Sequence, residues 1–527
     1  MQVDINDLDY RLIDVAFSKL EEFRSSWIEL ENIYKNVKDK KLCEKAKKLN
    51  RSFESTPIAR DSILIKRSIF STSFLINQFA LSIAKVGSED DERARQLRVA
   101  AKHYWEKSDS FVELNKAMLR MLIFPVGVTM QLWDEKKKKI IIEECNPMDI
   151  AFDHEAKHNN DVQYLCYRYK KSGKDIRKII REDSKKDKKD RFYNHLKNFE
   201  EFFKLSYDVK TFDDFKRYEL KEIYIKEDGF WLCKTYYQDI MLRVAKFEDC
   251  PFQFGFTREQ LSSVDKSLRE NQQMVYGESE IDFIKEHVKA INKRRNQHSD
   301  IVEEQINPST FAEKTAKVNP AHLKRGPGSV IPCGSVSGIQ ERRAPSTMGL
   351  YDDLSILQKD IETTTSVSGN QKGVTSTSDR RPTGAIALLN SQSSTRVEEQ
   401  IITANNTLFS HLAKTFVKKV YRYVDDKTLI SLGIEVPLIG RDQNGDEPFD
   451  FIVSVNFGSD AKRNERYANL MEMLSVVGQH PNVRPEIPEE IIAESISIKE
   501  GDESNLYKRL FMKPVNNQIP PTLGGAI

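Results

Sequence analysis

The chain has 527 residues, with 82 Lys or Arg against 80 Asp or Glu, so its formal net charge is +2. This balance excludes a simple basic nucleic-acid coat protein, and the 39% hydrophobic content excludes wholesale disorder. The six cysteines contain no C-x-x-C pair, which is typical of reduced thiols in a cytosolic protein. No apolar stretch approaches the ~20 residues that span a bilayer. We expect about three to five structural units.

The N-terminal ~125 residues are predicted to be helical. Apolar residues, among them Val15, Leu20 and Trp27, recur at helical spacing from Asp7 to Tyr34. The apolar segment Ile63–Ile83 continues this helical region and is expected to pack on several sides. A further helix, or a broken pair of helices, is predicted to end before Pro125.

An antiparallel β unit is predicted next. Val126–Trp133 and Ile140–Glu144 have the pattern of a hairpin, and the intervening run Lys136–Lys139 is interpreted as a solvated turn rather than a nucleic-acid contact. The charged segment 173–214 is interpreted as a helical insertion. Further strands are predicted up to Phe152 and over Val162–Tyr169, Tyr218–Ile225, Gly229–Tyr237 and Ile240–Phe247.

A long helix is predicted from Gly277 to about Gln305, which corresponds to ~40 Å. Its apolar residues form one narrow stripe, which suits packing beside similar long helices. Residues 306–345 then form a basic, Pro/Gly-rich excursion with six cations and two acids, a formal charge of +4. Short strands are predicted there at Val330–Ile331 and Val336–Ile339.

A second helix is predicted at Thr347–Val367, followed by a loop that ends at Arg381. The cations of that loop are Lys372, Arg380 and Arg381. It is either an ordinary surface loop or a mobile basic loop that faces a polyanion.

The C-terminal part begins with a long helix, predicted from Ala385 to about Val424. Short β segments are predicted at Thr428–Ile430, Glu435–Ile439 and Phe449–Phe457. Two helices and a loose C-terminal tail follow.

The sequence carries no catalytic motif. It lacks a phosphate-binding loop, a zinc-protease motif and a nucleophile elbow. Asp149 and Asp153 could pair on a metal ion, but no third ligand is near them, so a structural turn is the preferred interpretation. We therefore predict no enzyme activity, no metal site and no cofactor.

Five segments occur in an order that resembles a known family. They are Met121–Trp133, Asn146–Asp153, Tyr276–Ser279, Gly369–Arg381 and Thr383–Leu389. The co-linear series resembles the portal proteins of tailed bacteriophages, with Pro125 departing from the glycine usual at its position. The second segment is similar to the "P-x-x-[VI]-x-x-D" motif of that family.

The resemblance implies an α+β portal fold with long stem and wing helices, antiparallel β wing elements, a small α/β clip and a helical crown. Its regions would be an N-terminal wing (1–276, with the charged insertion near 173–214), first stem helix (277–305), clip (306–345), second stem helix (346–367), tunnel loop (368–382), long wing helix and β segment (383–458), crown (459–512) and flexible tail (513–527).

The resemblance also implies a homododecameric ring at one capsid vertex, with a channel for double-stranded DNA during packaging and ejection. Its expected partners are the terminase large subunit, head-completion or tail adaptor proteins, and the major capsid and scaffolding proteins. No membrane partner is expected. Such a protein would be assembled in the host cytoplasm and reside in the virion.

We predict that Lys372, Arg380 and Arg381 approach the channel axis. Additional candidate contacts to DNA or partners lie in the stem and clip: Lys293, Arg294, Arg295, Lys324, Arg325, Arg342 and Arg343. Two alternatives remain open from the sequence, namely another ring-forming head–tail adaptor and a non-viral helical scaffold with a loop that faces nucleic acid.

Overall fold

The protein is described from a computed structural model. It describes residues 8–49, 51–75, 81–84, 91–108, 110–134, 137–156, 161–176, 215–238, 240–261, 275–306, 310–314, 339–341, 345–367, 396–424, 426–431 and 452–455, with six single positions (178, 308, 317, 334, 336 and 337). The predictions for 179–214, 318–333, 368–395, 432–451 and 456–527 lie outside the described residues.

Five helices form most of the N-terminal region. They are α1 (Leu8–Lys35), α2 (Lys40–Lys48), α3 (Ile58–Leu75), α4 (Asp91–Ser108) and α5 (Phe111–Ile123). The broken pair of helices before Pro125 is confirmed by α4 and α5. Helix α1 buries one face, because apolar residues recur on it every three or four positions. That face runs through Ile13 and Ala16, whereas Val15, which the sequence pattern placed among the apolar positions, is exposed.

A strand interrupts the region that was predicted to be helical. Helix α3 ends at Leu75, and Leu81–Ala84 form strand β1. This strand pairs antiparallel with residues 452–455, near the other end of the chain. The prediction of a helical segment through Ile83 was therefore wrong, because a short apolar run does not by itself distinguish a strand from a buried helix.

Two antiparallel sheets follow. Their strands are β2 (Gly127–Asp134), β3 (Lys139–Cys145), β4 (Ile150–Phe152), β5 (Tyr164–Ser172), β6 (Arg217–Glu227), β7 (Phe230–Tyr237), β8 (Ile240–Phe247) and β9 (Phe252–Gly255). One sheet has the order β3-β2-β9 and the other the order β4-β5-β6-β7-β8. The predicted hairpin is confirmed, with Val128 opposite Cys145 and Asp134 opposite Lys139. Strand β9 had no sequence prediction.

The main core lies where the N-terminal helices meet these sheets. Trp27 of α1 packs against Phe124 and Tyr276, with ring centroids 6.0 and 5.3 Å apart. Phe152 of β4 lies 4.2 Å from Phe254 of β9 between ring centroids, which joins the two sheets. These contacts place Tyr276, just before the long helix, inside the core.

The long helix α6 spans Glu280–Ile306 and is followed by strand β10 (Thr310–Ala312), strand β11 (Ile339–Glu341) and helix α7 (Met348–Thr365). Strands β10 and β11 pair antiparallel. Both predicted helices are confirmed, while the strand predicted at Val336–Ile339 begins only at Ile339. The two helices run antiparallel, since His298 contacts Tyr351 edge-to-face whereas Ile284, Val288 and Ile291 share a cluster with Ile361.

The described C-terminal elements belong to one interrupted helix and two short segments. Residues 396–404 are helical and continue through a π-helical turn, Asn405–Phe409, into α8 (Ser410–Tyr423). Helix α9 (Asp426–Ser431) contains Thr428–Ile430, so the prediction of a β segment there was wrong. Leu429 is fully buried on this short helix. The isolated apolar pair Leu429-Ile430 is too short to distinguish a helix from a strand. Strand β12 (Ile452–Val455) lies within the predicted segment Phe449–Phe457.

Candidate functional site

The structure describes three of the ten predicted contact residues, and all three lie on α6. Lys372, Arg380 and Arg381 lie outside the described residues, as do Lys324, Arg325, Arg342 and Arg343. On α6, Lys293 is exposed, whereas Arg294 and Arg295 are half-buried. The predicted channel loop therefore lies outside the part of the chain that the structure describes, and only the α6 candidates have a described position.

Much of the basic side of α6 is neutralised within the chain. The Arg294 guanidinium lies 2.5 Å from the Asp353 carboxylate of α7. Lys289 contacts Glu29 of α1 at 2.8 Å and Glu286 at 2.9 Å. The pairs with Asp353 and Glu29 join α6 to its neighbours, and all three pairs reduce the positive charge that α6 offers to an outside polyanion.

A buried ionic cluster surrounds the first residue of α6. Glu280 accepts hydrogen bonds from Lys66 Nζ at 2.6 Å, from Arg258 Nε at 2.6 Å and from Gln400 Nε2 at 2.8 Å. We call Lys66, Arg258, Glu280 and Gln400 the Glu280 junction. It ties α6 to α3, to the segment after β9 and to helix 396–404.

Charge complementarity keeps Glu280 ionised in the core. The Glu280 and Lys66 side chains are each only 1% exposed. Burial by itself would raise the pKa of Glu280, but the adjacent charges of Lys66 and Arg258 outweigh burial and hold that pKa below its ordinary value. Removing one member leaves the other buried charges without compensation. The junction therefore links three parts of the chain to α6 through hydrogen bonds to one buried, compensated carboxylate.

The motif Tyr276-Gly277-Glu278-Ser279 has a structural explanation at this junction. Gly277 donates its backbone N–H to the Pro125 carbonyl at 2.8 Å, and a Cβ at this position would lie 2.2 Å from the Arg258 carbonyl oxygen. Ser279 donates to the Ile123 carbonyl at 2.6 Å and accepts the N–H of Ile281 at 3.1 Å. These bonds fix the start of α6 against the end of α5.

A second connection holds the middle of α6, and the sequence analysis did not find it. The side chains of Asn292, Asn296 and Asp300 accept backbone N–H groups of Thr56, Glu54 and Ser52 at 3.0, 2.6 and 2.6 Å. We call this set the polar ladder. It forms because four residues of helix rise about 6 Å and two residues of extended chain rise about 6.6 Å. Its sequence signal is the i, i+4, i+8 spacing of the three side chains.

The described residues offer no catalytic constellation. They contain no group of three or more His, Cys, Asp or Glu side chains able to hold a metal ion. Asp153 accepts the backbone N–H groups of Glu155 and Gln163, which agrees with the turn interpretation. Burial raises the pKa of the Cys250 thiol to about 12, so it stays protonated near neutral pH. Among the described helices, none is long and apolar enough to cross a membrane.

Two comparisons with known proteins bear on this architecture. A sequence model of the family described as "Phage SU10 portal protein" matches residues 134–522. This match includes strands β3 to β9, α6, α7 and the interrupted C-terminal helix, whereas α1 to α5 and nearly all of β2 precede it. Among curated proteins, no match was found.

Proposed function

Because the chain belongs to the Phage SU10 portal protein family, we propose that twelve copies form a ring at one vertex of the phage capsid. The chain is a tailed-phage portal protein and a component of the virion. In our proposal the ring encloses the channel through which double-stranded DNA enters during packaging and leaves during ejection. Its role is architectural rather than enzymatic.

The succession of α6, β10, β11 and α7 supports this proposal. A long helix leads to a two-stranded antiparallel pair, and an antiparallel helix returns beside the first. In our proposal α6 and α7 are the stem helices, and the strand pair belongs to the clip. The N-terminal helices and the antiparallel sheets form the wing, with the 459–512 segment as the crown.

The proposed channel surface is the loop 368–382. Lys372, Arg380 and Arg381 supply cations there, and contacts from such cations to phosphate carry no sequence information, which suits attraction to a moving DNA backbone. A ring of twelve copies carries each cation twelve times. A net charge of only +2 per chain therefore limits the total electrostatic attraction between the ring and DNA. The lesser candidates in the stem and clip are the seven basic residues between Lys293 and Arg343 that the sequence analysis named.

The proposed partners follow from the position of the ring. We propose that the terminase large subunit docks on the clip during packaging and that head-completion or tail adaptor proteins replace it later. Major capsid and scaffolding proteins contact the outside of the ring. Assembly takes place in the host cytoplasm, and no step requires a membrane.

The test is single-particle imaging of the purified full-length chain together with its native mass. We expect closed annuli with a central channel, and twelve-fold symmetry in the capsid. Rings of another size from protein expressed alone would still support ring formation. A stable monomer at every concentration, and no annulus at a capsid vertex, would refute the proposal.

A further inference from the structure

Helix α2 is a short helix with no buried residue among those that the structure describes. Its N-terminus is capped by Asp39, whose carboxylate accepts the N–H groups of Lys41 at 2.8 Å and Leu42 at 3.3 Å. The polar ladder begins at Ser52, shortly after α2 ends, and Ser52 is bonded to Asp300, so the end of α2 is held near the C-terminal third of α6. Because so short a helix is only marginally stable without tertiary packing, its exposed position is unusual.

The charge around α2 is strongly positive. Residues 35–51 contain eight cations and two acids, a formal charge of +6, whereas the whole chain has +2. All five lysines of the helix are exposed, and none pairs with a carboxylate in the described part of the chain. They are Lys40, Lys41, Lys45, Lys47 and Lys48. This surface therefore attracts a partner with negative charge.

The same surface exposes apolar side chains. Leu42 and Leu49 are 52% and 58% exposed, and Val37 just before the helix is 56% exposed. Leu42, Ala46 and Leu49 have the spacing i, i+4, i+7, which places them along one side of the helix. Lysines flank this apolar strip on the helix surface. The strip and the lysines together make a two-part binding surface.

We propose that α2 is a docking site for an acidic amphipathic helix of another protein. The acidic residues of such a helix would pair with the lysines, and its apolar stripe would cover Leu42, Leu49 and Val37. DNA fits less well, because a phosphate backbone would neutralise the lysines but leave the leucines in water. This inference does not depend on ring formation or on the channel loop.

The test measures peptide binding by the purified full-length protein. The probe is a fluorescent four-turn peptide with leucine on one face and glutamate on the others, compared with a scrambled peptide of identical composition. We expect the amphipathic peptide to bind with an affinity that falls as the salt concentration rises. The L42S/L49S variant should bind this peptide about tenfold or more weakly. K41E/K45E should abolish binding of the amphipathic peptide. The matched control, K170E/K171E, changes two exposed lysines of β5 and should leave binding intact.

Three outcomes would overturn the inference. The first is equal affinity for the amphipathic and the scrambled peptide. The second is binding of duplex DNA that K41E/K45E abolishes and L42S/L49S does not change, which would assign α2 to nucleic acid. The third is a loss of self-association in L42S/L49S by analytical ultracentrifugation, which would make a second copy of this chain the occupant. Circular dichroism of each variant checks that the fold is retained.

Discussion

At the residue scale, the start of α6 depends on a glycine that leaves no room for a side chain. Gly277 lies against the backbone of Arg258, and its N–H is bonded to Pro125. Gly349 offers a matched comparison, because it lies within α7 and has open space around it. A Cβ added at Gly277 would collide with neighbouring backbone, whereas one added at Gly349 would change only the helix propensity of the position.

We predict opposite effects of the same substitution at these glycines. Gly277→Ala should lower the free energy of unfolding by about 1–3 kcal/mol, because the backbone must move to admit a Cβ. Gly349→Ala should raise it by up to about 0.5 kcal/mol, because alanine has the better helix propensity but Gly349 lies in the first turn of α7, where that preference counts less than in the interior. Chemical denaturation of both variants measures the difference, and equal effects would contradict the packing at Gly277.

A second residue-scale prediction concerns the Glu280 junction. Glu280→Gln should destabilise the protein by about 3 kcal/mol or more, because Lys66 and Arg258 lose the buried charge that compensates them. Glu286→Gln is the control, since this exposed carboxylate on the same helix pairs with surface Lys289. Its effect should stay below about 1 kcal/mol in the same denaturation assay.

The pH dependence gives an independent check on the junction. The pKa of Glu280 lies below its ordinary value of 4.5 in the folded chain, so the unfolded chain binds the proton more readily. The stability contributed by Glu280 is complete above pH 4.5 and is lost as the pH falls through the folded-state pKa. The difference between wild type and Glu280→Gln should therefore narrow below pH 4.5. A difference that widened on acidification would contradict this assignment.

At the element scale, the polar ladder joins an extended segment to a helix without a sheet. Asn296 makes two of its bonds, since its side chain accepts the Glu54 N–H and donates to the Glu54 carbonyl at 3.1 Å. The ladder lies farther along α6 than the buried apolar stripe, which ends at Ile291, toward the C-terminal end of the helix. That part of α6 is therefore used for packing within the chain.

We predict that Asn296→Ala detaches this segment. The two lost hydrogen bonds exceed the gain in helix propensity, so stability should fall by about 1 kcal/mol. Hydrogen exchange at residues 52–56 should become faster, while exchange in the β5–β8 strands stays unchanged. Lys293→Ala, an exposed change on the same helix, is the control. Unchanged exchange at residues 52–56 would show that the ladder does not hold them.

Most of the helices and the antiparallel strands could be predicted from periodicity, because their apolar spacing is regular and turn residues bound them. Strand β1 and helix α9 could not, since four to six residues carry too little periodicity and their partners are distant in the sequence. The Glu280 junction was missed for a related reason. Lys66, Glu280 and Gln400 are unremarkable in the sequence and meet only through tertiary packing. For the candidate channel loop, the structure adds no test.

At the scale of the whole molecule, the ion pairs of α6 and the near-neutral total charge both limit the positive charge available to attract DNA. We predict that alanine variants of Lys372, Arg380 and Arg381 reduce DNA packaging or retention while the ring still forms, because they remove cations from the proposed channel. Packaging assays with phage carrying each variant measure this. Wild-type packaging and retention in all three variants would remove the loop from the channel surface.

The polar ladder also has a consequence for biosynthesis. Its partners are 236 to 248 residues apart in the chain. At a translation rate of roughly 5–20 residues per second, residues 52–56 emerge from the ribosome about 10–50 s before their partners on α6 exist. During that interval the N-terminal helices lack the support against which they pack. Attachment of residues 52–56 is therefore timed by the synthesis of α6, and a nascent chain released before that helix would leave this segment without its partners.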